Sequence, residues 1–351
     1  MATYKIFPTK DASLYSEFPS MNTGLDAIIE ASTYLKLGTP QVSRYLIQFS
    51  TTEIQDVLNT KVNGATFKTN LINSAAVVTS LNLDSSLEIH TTSGSWGMGT
   101  GRWGNVPQFT NGTSWDWRSY SGSNAWVSPG GDSYASPIYS QSFAYSDPID
   151  IRVDVTPTIL SWYSGSISND GFLVKQPSSV EFVQNPNVVS TFKYFSIDTQ
   201  TIYPPSLEVS WDDYLFNTGS SINPMLTTSQ TFMSIYNNVG EYFPQSVARM
   251  RLAAIPKYPQ RQFQTSSLFT QNYYLPETTS LYAIKDTETN EFVVNFDSDF
   301  TKISADPTSS YFDVYMNGLE PERYYTVLIK TVLDGTTQVY DEDIMFKVIN
   351  G

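Results

Sequence analysis

The run IDIRVDVT (149–156) alternates apolar and polar residues without a break. A period of two is the signature of a strand with one face in a core and one in water. Comparable runs recur along the whole chain. ATYKIF (2–7), SRYLIQF (43–49), GATFKTNLI (64–72), SLEIHTT (86–92), GFLVK (171–175), TFKYFSID (191–198) and SLEVSW (206–211) fill the first part. SLYAIKD, EFVVNFD, YFDVYMNGL, RYYTVLIKTVLDG and EDIMFKVIN follow in the last 75 residues or so, and Gly, Pro or Asn separates most neighbours. Only TTEIQDVLN (51–59) and TPTILSWYSG (156–165) read as short helical turns, the second with Thr156 as its expected cap and Pro157 at its first position. The sequence therefore predicts an all-β protein.

At 351 residues the chain is long enough for two cores. The expected layout is an N-terminal jelly-roll-like β-sandwich over 1–211 and a smaller immunoglobulin- or fibronectin-like β-sandwich over 246–351. The turn-rich WDDYLFNTGSSINPMLTTSQ suggests that 212–245 is a linker or an extended arm. In GLEPERYYTVLIKT, a Leu-x-Pro followed by Tyr325 at the head of an apolar strand has the pattern of a tyrosine corner.

Charge and reactive side chains narrow the chemistry. With 20 basic against 34 acidic residues the net charge is −14, which disfavours phosphate backbones and anionic membranes. The basic residues Arg249, Arg251, Lys257 and Arg261 are the one local concentration, and pairing with carboxylates is the expectation for them. No apolar run approaches the ~20 residues that a spanning helix needs, and the amino-terminal stretch has no signal-peptide pattern. The chain has no cysteine, so disulfides, thiolate metal sites and cysteine nucleophiles are excluded. Its single histidine, His90, lies at a strand end without a nucleophile motif and is expected to be structural. Asp212–Asp213 and Asp297–Asp299 are paired carboxylates in turn contexts, where solvation is commoner than catalysis. No enzyme is expected.

Five of the seven tryptophans, Trp96, Trp103, Trp115, Trp117 and Trp126, fall in the Gly/Ser-rich connection between strands. Such rings either plug a sandwich or grip a ligand. Trp103, Trp115 and Trp126 are the expected plug. Trp117 and Tyr120, flanked by Asp116 and Arg118, are the candidate carbohydrate-binding surface. Asp11, Asn22 and Asp132 are oxygen donors of the kind that hold a structural calcium, the one cofactor considered, and each also reads as a turn former.

Taken in order, DASLYSEFPSMNTG, SRYLIQFS, SWGMGTGRWGN, GTSWDWR, AWVSPGGD, IRVDVTPTILSWYSGSISNDGFLVK and FKYFSIDTQTIYPPSLEVSW resemble the motifs of the DNRLRE family. These β-sandwich domains are related to the carbohydrate-binding modules of bacterial polysaccharide-degrading proteins. The match covers about three-fifths of the chain and departs from the family at Ser50, where an Asp is usual, and in the longer 178–190 segment. The C-terminal half resembles structural proteins of tailed bacteriophages. Together these imply a non-enzymatic, oligomeric virion protein of the head, neck, tail or baseplate, assembled in the host cytoplasm and released by lysis. Its partners would be other virion proteins, copies of itself and host surface glycan, with no nucleic acid and no membrane insertion. The alternative is a carbohydrate-binding module protein of a bacterial cell surface.

Overall fold

The structure, a computed structural model, describes residues 2–77, 84–145, 147–184, 190–258 and 271–350. The strands of the first part are β1 (Ala2–Ile6), β2 (Pro8–Tyr15), β3 (Ile28–Lys36), β4 (Thr39–Phe49), β5 (Phe67–Asn73), β6 (Ser85–Thr92), β7 (Trp117–Ser119), β8 (Asn124–Ala125), β9 (Ser133–Phe143), β10 (Ile151–Asp154), β11 (Phe172–Lys175), β12 (Ser190–Phe195) and β13 (Ser206–Trp211). Two short helices join them, α1 (Thr51–Asp56), continued by a π-type turn over Val57–Val62, and α2 (Thr156–Tyr163). The later strands are β14 (Thr231–Ile235), β15 (Glu241–Tyr242), β16 (Val247–Pro256), β17 (Leu281–Asp286), β18 (Phe292–Val294), β19 (Ser304–Ala305), β20 (Ser310–Tyr315), β21 (Arg323–Leu333) and β22 (Thr336–Val348). The protein is all-β, as its alternating runs predict.

The chain divides into two compact units. The first is Ile6–Asn63 with Lys68–Val209, and the second gathers Met1–Lys5, Gly64–Phe67 and Ser210–Gly351. In the first unit a large sheet runs β12-β3-β4-β11-β6-β9, with β2 also along β4, and β13, β5 and β10 lie side by side in a smaller one. Strand β10 shows why: Ile151 and Val153 turn inward while Arg152 and Asp154 turn out. Between the sheets Asn73 Nδ2 donates to Tyr45 Oη at 2.6 Å, which joins two buried polar side chains across the core. The strand order establishes a sandwich, but does not by itself spell a jelly roll. The cap expected of Thr156 belongs elsewhere: Val155 occupies the cap position, and Thr156 is the first helical residue. Its hydroxyl donates to Asp154 Oδ1 and accepts from the Thr69 N–H, so it ties α2 to β5.

The second unit packs β14-β16-β20-β19 against β15-β22-β21-β17-β18. Lettered in chain order, with β15 as A′ and β18 as C′, these sheets are ABED and A′GFCC′. That is the strand order of an immunoglobulin-like sandwich. Strand β15 runs parallel to β22, as an A strand must when it crosses to the second sheet. The Tyr325 hydroxyl donates to Glu320 O at 2.9 Å, which makes the expected tyrosine corner. Tyr282 and Phe312 stack at 4.1 Å in the core. The 212–245 segment, expected to be a linker or arm, instead supplies strands A and A′, with Thr231 and Met233 inward and Phe232 and Ser234 outward. Five alternating residues between turn formers are too short a run to stand out in a sequence.

Candidate functional site

Strand β4 breaks the alternation, because Tyr45, Leu46 and Ile47 are all fully buried. A strand reads as continuously apolar when both faces of its sheet are covered. The second cover is the tryptophan connection. Trp96, Trp115 and Trp126 pack with Ala12, Leu14, Val42, Leu46 and Leu173 in a second apolar cluster. The Trp96 and Trp126 indole N–H groups donate to Asp170 O at 2.8 Å and Ser114 O at 3.0 Å. Each buried indole removes ~150–250 Å2 from water, worth roughly 4–6 kcal/mol of transfer free energy. Trp115 and Trp126 are therefore plug residues as expected.

Asn22 fixes this cover. Its Nδ2 donates to Met98 O at 2.7 Å and Thr113 O at 2.8 Å, and its Oδ1 accepts from the Gly101 N–H at 2.8 Å. Its own N–H donates to Phe109 O. A Cβ on Gly99, Gly101 or Gly112 would lie 2.1–2.6 Å from an Asn22 or Gly99 atom, so glycine is required where the connection closes on Asn22. Of the other expected calcium donors, Asp132 accepts from the Val127 and Ser128 N–H groups, and Asp11 Oδ2 accepts from the Ile197 N–H. The three side chains thus serve three separate backbone segments. Among the described residues no group of three or more His, Cys, Asp or Glu could hold a metal ion. Asp11 Oδ1 is buried without a hydrogen-bond partner, and burial pushes the carboxyl up to about 7.

The candidate glycan residues lie around a small hairpin of β7 and β8. Trp117 is half-buried and Tyr120 exposed, with their rings 5.3 Å apart at 73°. Rings set edge to face offer no common flat surface. Asp116 uses its backbone, its N–H donating to Pro19 O and its carbonyl accepting from Trp126 N–H, and Arg118 lies over Gly94.

Trp103 corrects an expectation: it is 49% exposed. It is wedged instead between Tyr15, at 4.6 Å and 54°, and Phe18, at 5.4 Å and 77°. Its backbone N–H is held by both Asp26 carboxylate oxygens at 2.9 and 3.2 Å. Here an open cleft of about 550 Å3 is lined by Tyr15, Asp26, Ile28, Glu30, Tyr34, Trp103, Thr191 and Lys193. Ile28, Glu30 and Tyr34 share one face of β3, and the register Lys193↔Glu30 and Thr191↔Ser32 places the β12 residues on the same side. Lys193 Nζ is 3.6 Å from Glu30, and the Tyr34 hydroxyl donates to Glu17. Burial raises the Asp26 carboxyl above its usual range. The sequence signal was present in the alternate Ile28, Glu30 and Tyr34, but nothing in it shows that Trp103 stands beside them.

A second cluster is already internally matched. Arg44 grips Glu181 through two hydrogen bonds of 2.7 and 2.9 Å and stacks 5.0 Å from the Trp115 ring. Lys175 lies between Glu181 and Glu88, and His90 Nε2 is 3.0 Å from Glu88. Burial holds the His90 imidazole below its ordinary range. His90 has the structural place expected of it, in β6 opposite Leu173. Arg249 and Arg251 form two-point ion pairs with Asp313 and Asp306, as their expected pairing with carboxylates requires. Arg261 lies outside the described residues. Of the paired acids, Asp212 accepts from Tyr214 N–H and Asp297 from Asp299 and Phe300 N–H, each closing a local turn. No family model matches the chain, and no curated protein is significantly similar to it.

Proposed function

We propose that the chain is a non-enzymatic structural protein of a tailed-bacteriophage virion, with a DNRLRE-type front unit and an immunoglobulin-like second unit, working as an assembly part. The observation that carries this reading is the exposure of the 215–247 stretch. Leu215, Ile222, Met225, Phe232, Tyr236, Val239, Phe243 and Val247 are each 41–89% exposed there. Large apolar groups concentrated in water are characteristic of surfaces that another chain covers. A symmetric oligomer or a neighbouring virion protein would bury them. The polar chemistry supports the same reading, since the largely buried cluster of Arg44, Lys175, Glu88 and Glu181 is matched within itself. Mass spectrometry of purified particles tests it. The polypeptide should be found at fixed stoichiometry, and particles that infect without it would overturn the proposal.

A second, compatible reading is adhesion to host polysaccharide, as in a carbohydrate-binding module. The cleft beside Trp103 favours it, because it combines a half-exposed indole with convergent polar groups. Retention on a polysaccharide column is the test, and a chain that is never retained would remove this reading while leaving the assembly role intact.

A further inference from the structure

The geometry points to the cleft of Tyr15, Asp26, Ile28, Glu30, Tyr34 and Trp103 as the glycan site of the first unit, selective for sugars without acid groups. This rests on the adhesion reading and assigns it to residues other than Trp117 and Tyr120. Three features carry it. The indole is held before any ligand arrives: Tyr15 and Phe18 pack on its ring, and Asp26 fixes the backbone N–H of the residue that carries it. A platform with nothing left to order loses little entropy on binding. The polar lining is dominated by acceptors. Asp26 spends both oxygens on a single N–H, so lone pairs remain for sugar hydroxyls. The only lysine of the lining, Lys193, is compensated by Glu30. With Lys193 and Glu30 cancelling each other, Asp26 leaves the lining with one negative charge in excess, which disfavours carboxylated, sulfated and phosphorylated sugars. Neutral pyranoses offer what the site can take: an apolar C–H face for the indole and donor hydroxyls for the carboxylates.

The test is affinity retardation and glycan-array binding of the full chain against neutral and acidic polysaccharides. Three variants accompany it: Trp103→Ala, Ile28→Arg and the double variant Trp117→Ala/Tyr120→Ala. Ile28→Arg projects bulk into the cleft from a partly exposed strand position and removes no ring, so it covers the case in which Trp103→Ala loosens its loop. Melting curves and near-ultraviolet circular dichroism monitor folding. Neutral glycans should be retained by the wild type, with binding weakened at least about tenfold by Trp103→Ala and by Ile28→Arg and unchanged in the double variant. If glycans are retained but binding is lost only in the double variant, or if acidic glycans bind best, the cleft assignment fails and adhesion survives. If no glycan is retained, both fall.

Discussion

Asp11 shows how one side chain couples the first unit to pH. Its carboxyl is buried, with one oxygen accepting from Ile197 and the other unpartnered, and its folded value is raised to about 7 from 3.8. A carboxyl raised on folding binds more protons in the native state, so stability falls as pH rises between the unfolded and folded values. The first unit should therefore melt at lower temperature at pH 8 than at pH 5. Asp11→Asn should flatten that difference, which amounts to up to about 3 kcal/mol, from the roughly two pH units between pH 5 and the folded value. Differential scanning calorimetry of both proteins across that range checks it, and an unchanged slope in the variant would exclude Asp11 as the cause. Asn22→Ala removes four hydrogen bonds from a fully buried position and should cost about 3 kcal/mol or more. Red-shifted tryptophan emission and faster proteolysis between residues 96 and 126 would report the loss. At this scale the sequence marked Asp11 and Asn22 as special through their turn contexts. Apart from the Gly24 N–H, their partners are main-chain groups some 76–186 positions away and leave no local trace.

At the scale of elements, legibility followed length and alternation. Strand β10 was plain because one face is wet and the other dry, and the run from Arg323 to Leu333 because it is long and apolar, with Tyr325–Ile329 buried on both faces. Strand β14 was missed because five residues beside turn formers give the period too few repeats. The tyrosine corner was legible because its motif is local, with donor and acceptor five residues apart. Tyr325→Phe should leave the fold intact and lower the stability of the second unit by about 1–2 kcal/mol, as measured by urea denaturation. A variant as stable as the wild type would show that water replaces the lost bond. The cleft beside Trp103 was illegible for the opposite reason, since it is assembled from β2, β3, β12 and the tryptophan connection. Five rings in one connection look alike in a sequence. Only the packing divides them into three buried indoles, one on a hairpin and one at a cleft.

For the whole molecule, the exposed apolar stretch between Leu215 and Val247 belongs to the second unit, and the assembly reading makes a direct demand on it. Ile222→Asp combined with Val239→Asp should leave melting within about 0.5 kcal/mol of the wild type, since both side chains stand in water. The same pair should shift sedimentation towards the monomer. An oligomer that survives both charges would place the contact elsewhere. The Asn22 clasp has one more implication. It grips the tryptophan connection through the carbonyls of Met98, Phe109 and Thr113 and the amide of Gly101, not through any side chain. Apart from the glycines at 99, 101 and 112, the lettering between those points is consequently free to drift while the frame stays shut. Variation can accumulate at the tips, where a target would be met, as it does in the hypervariable loops of a recognition scaffold.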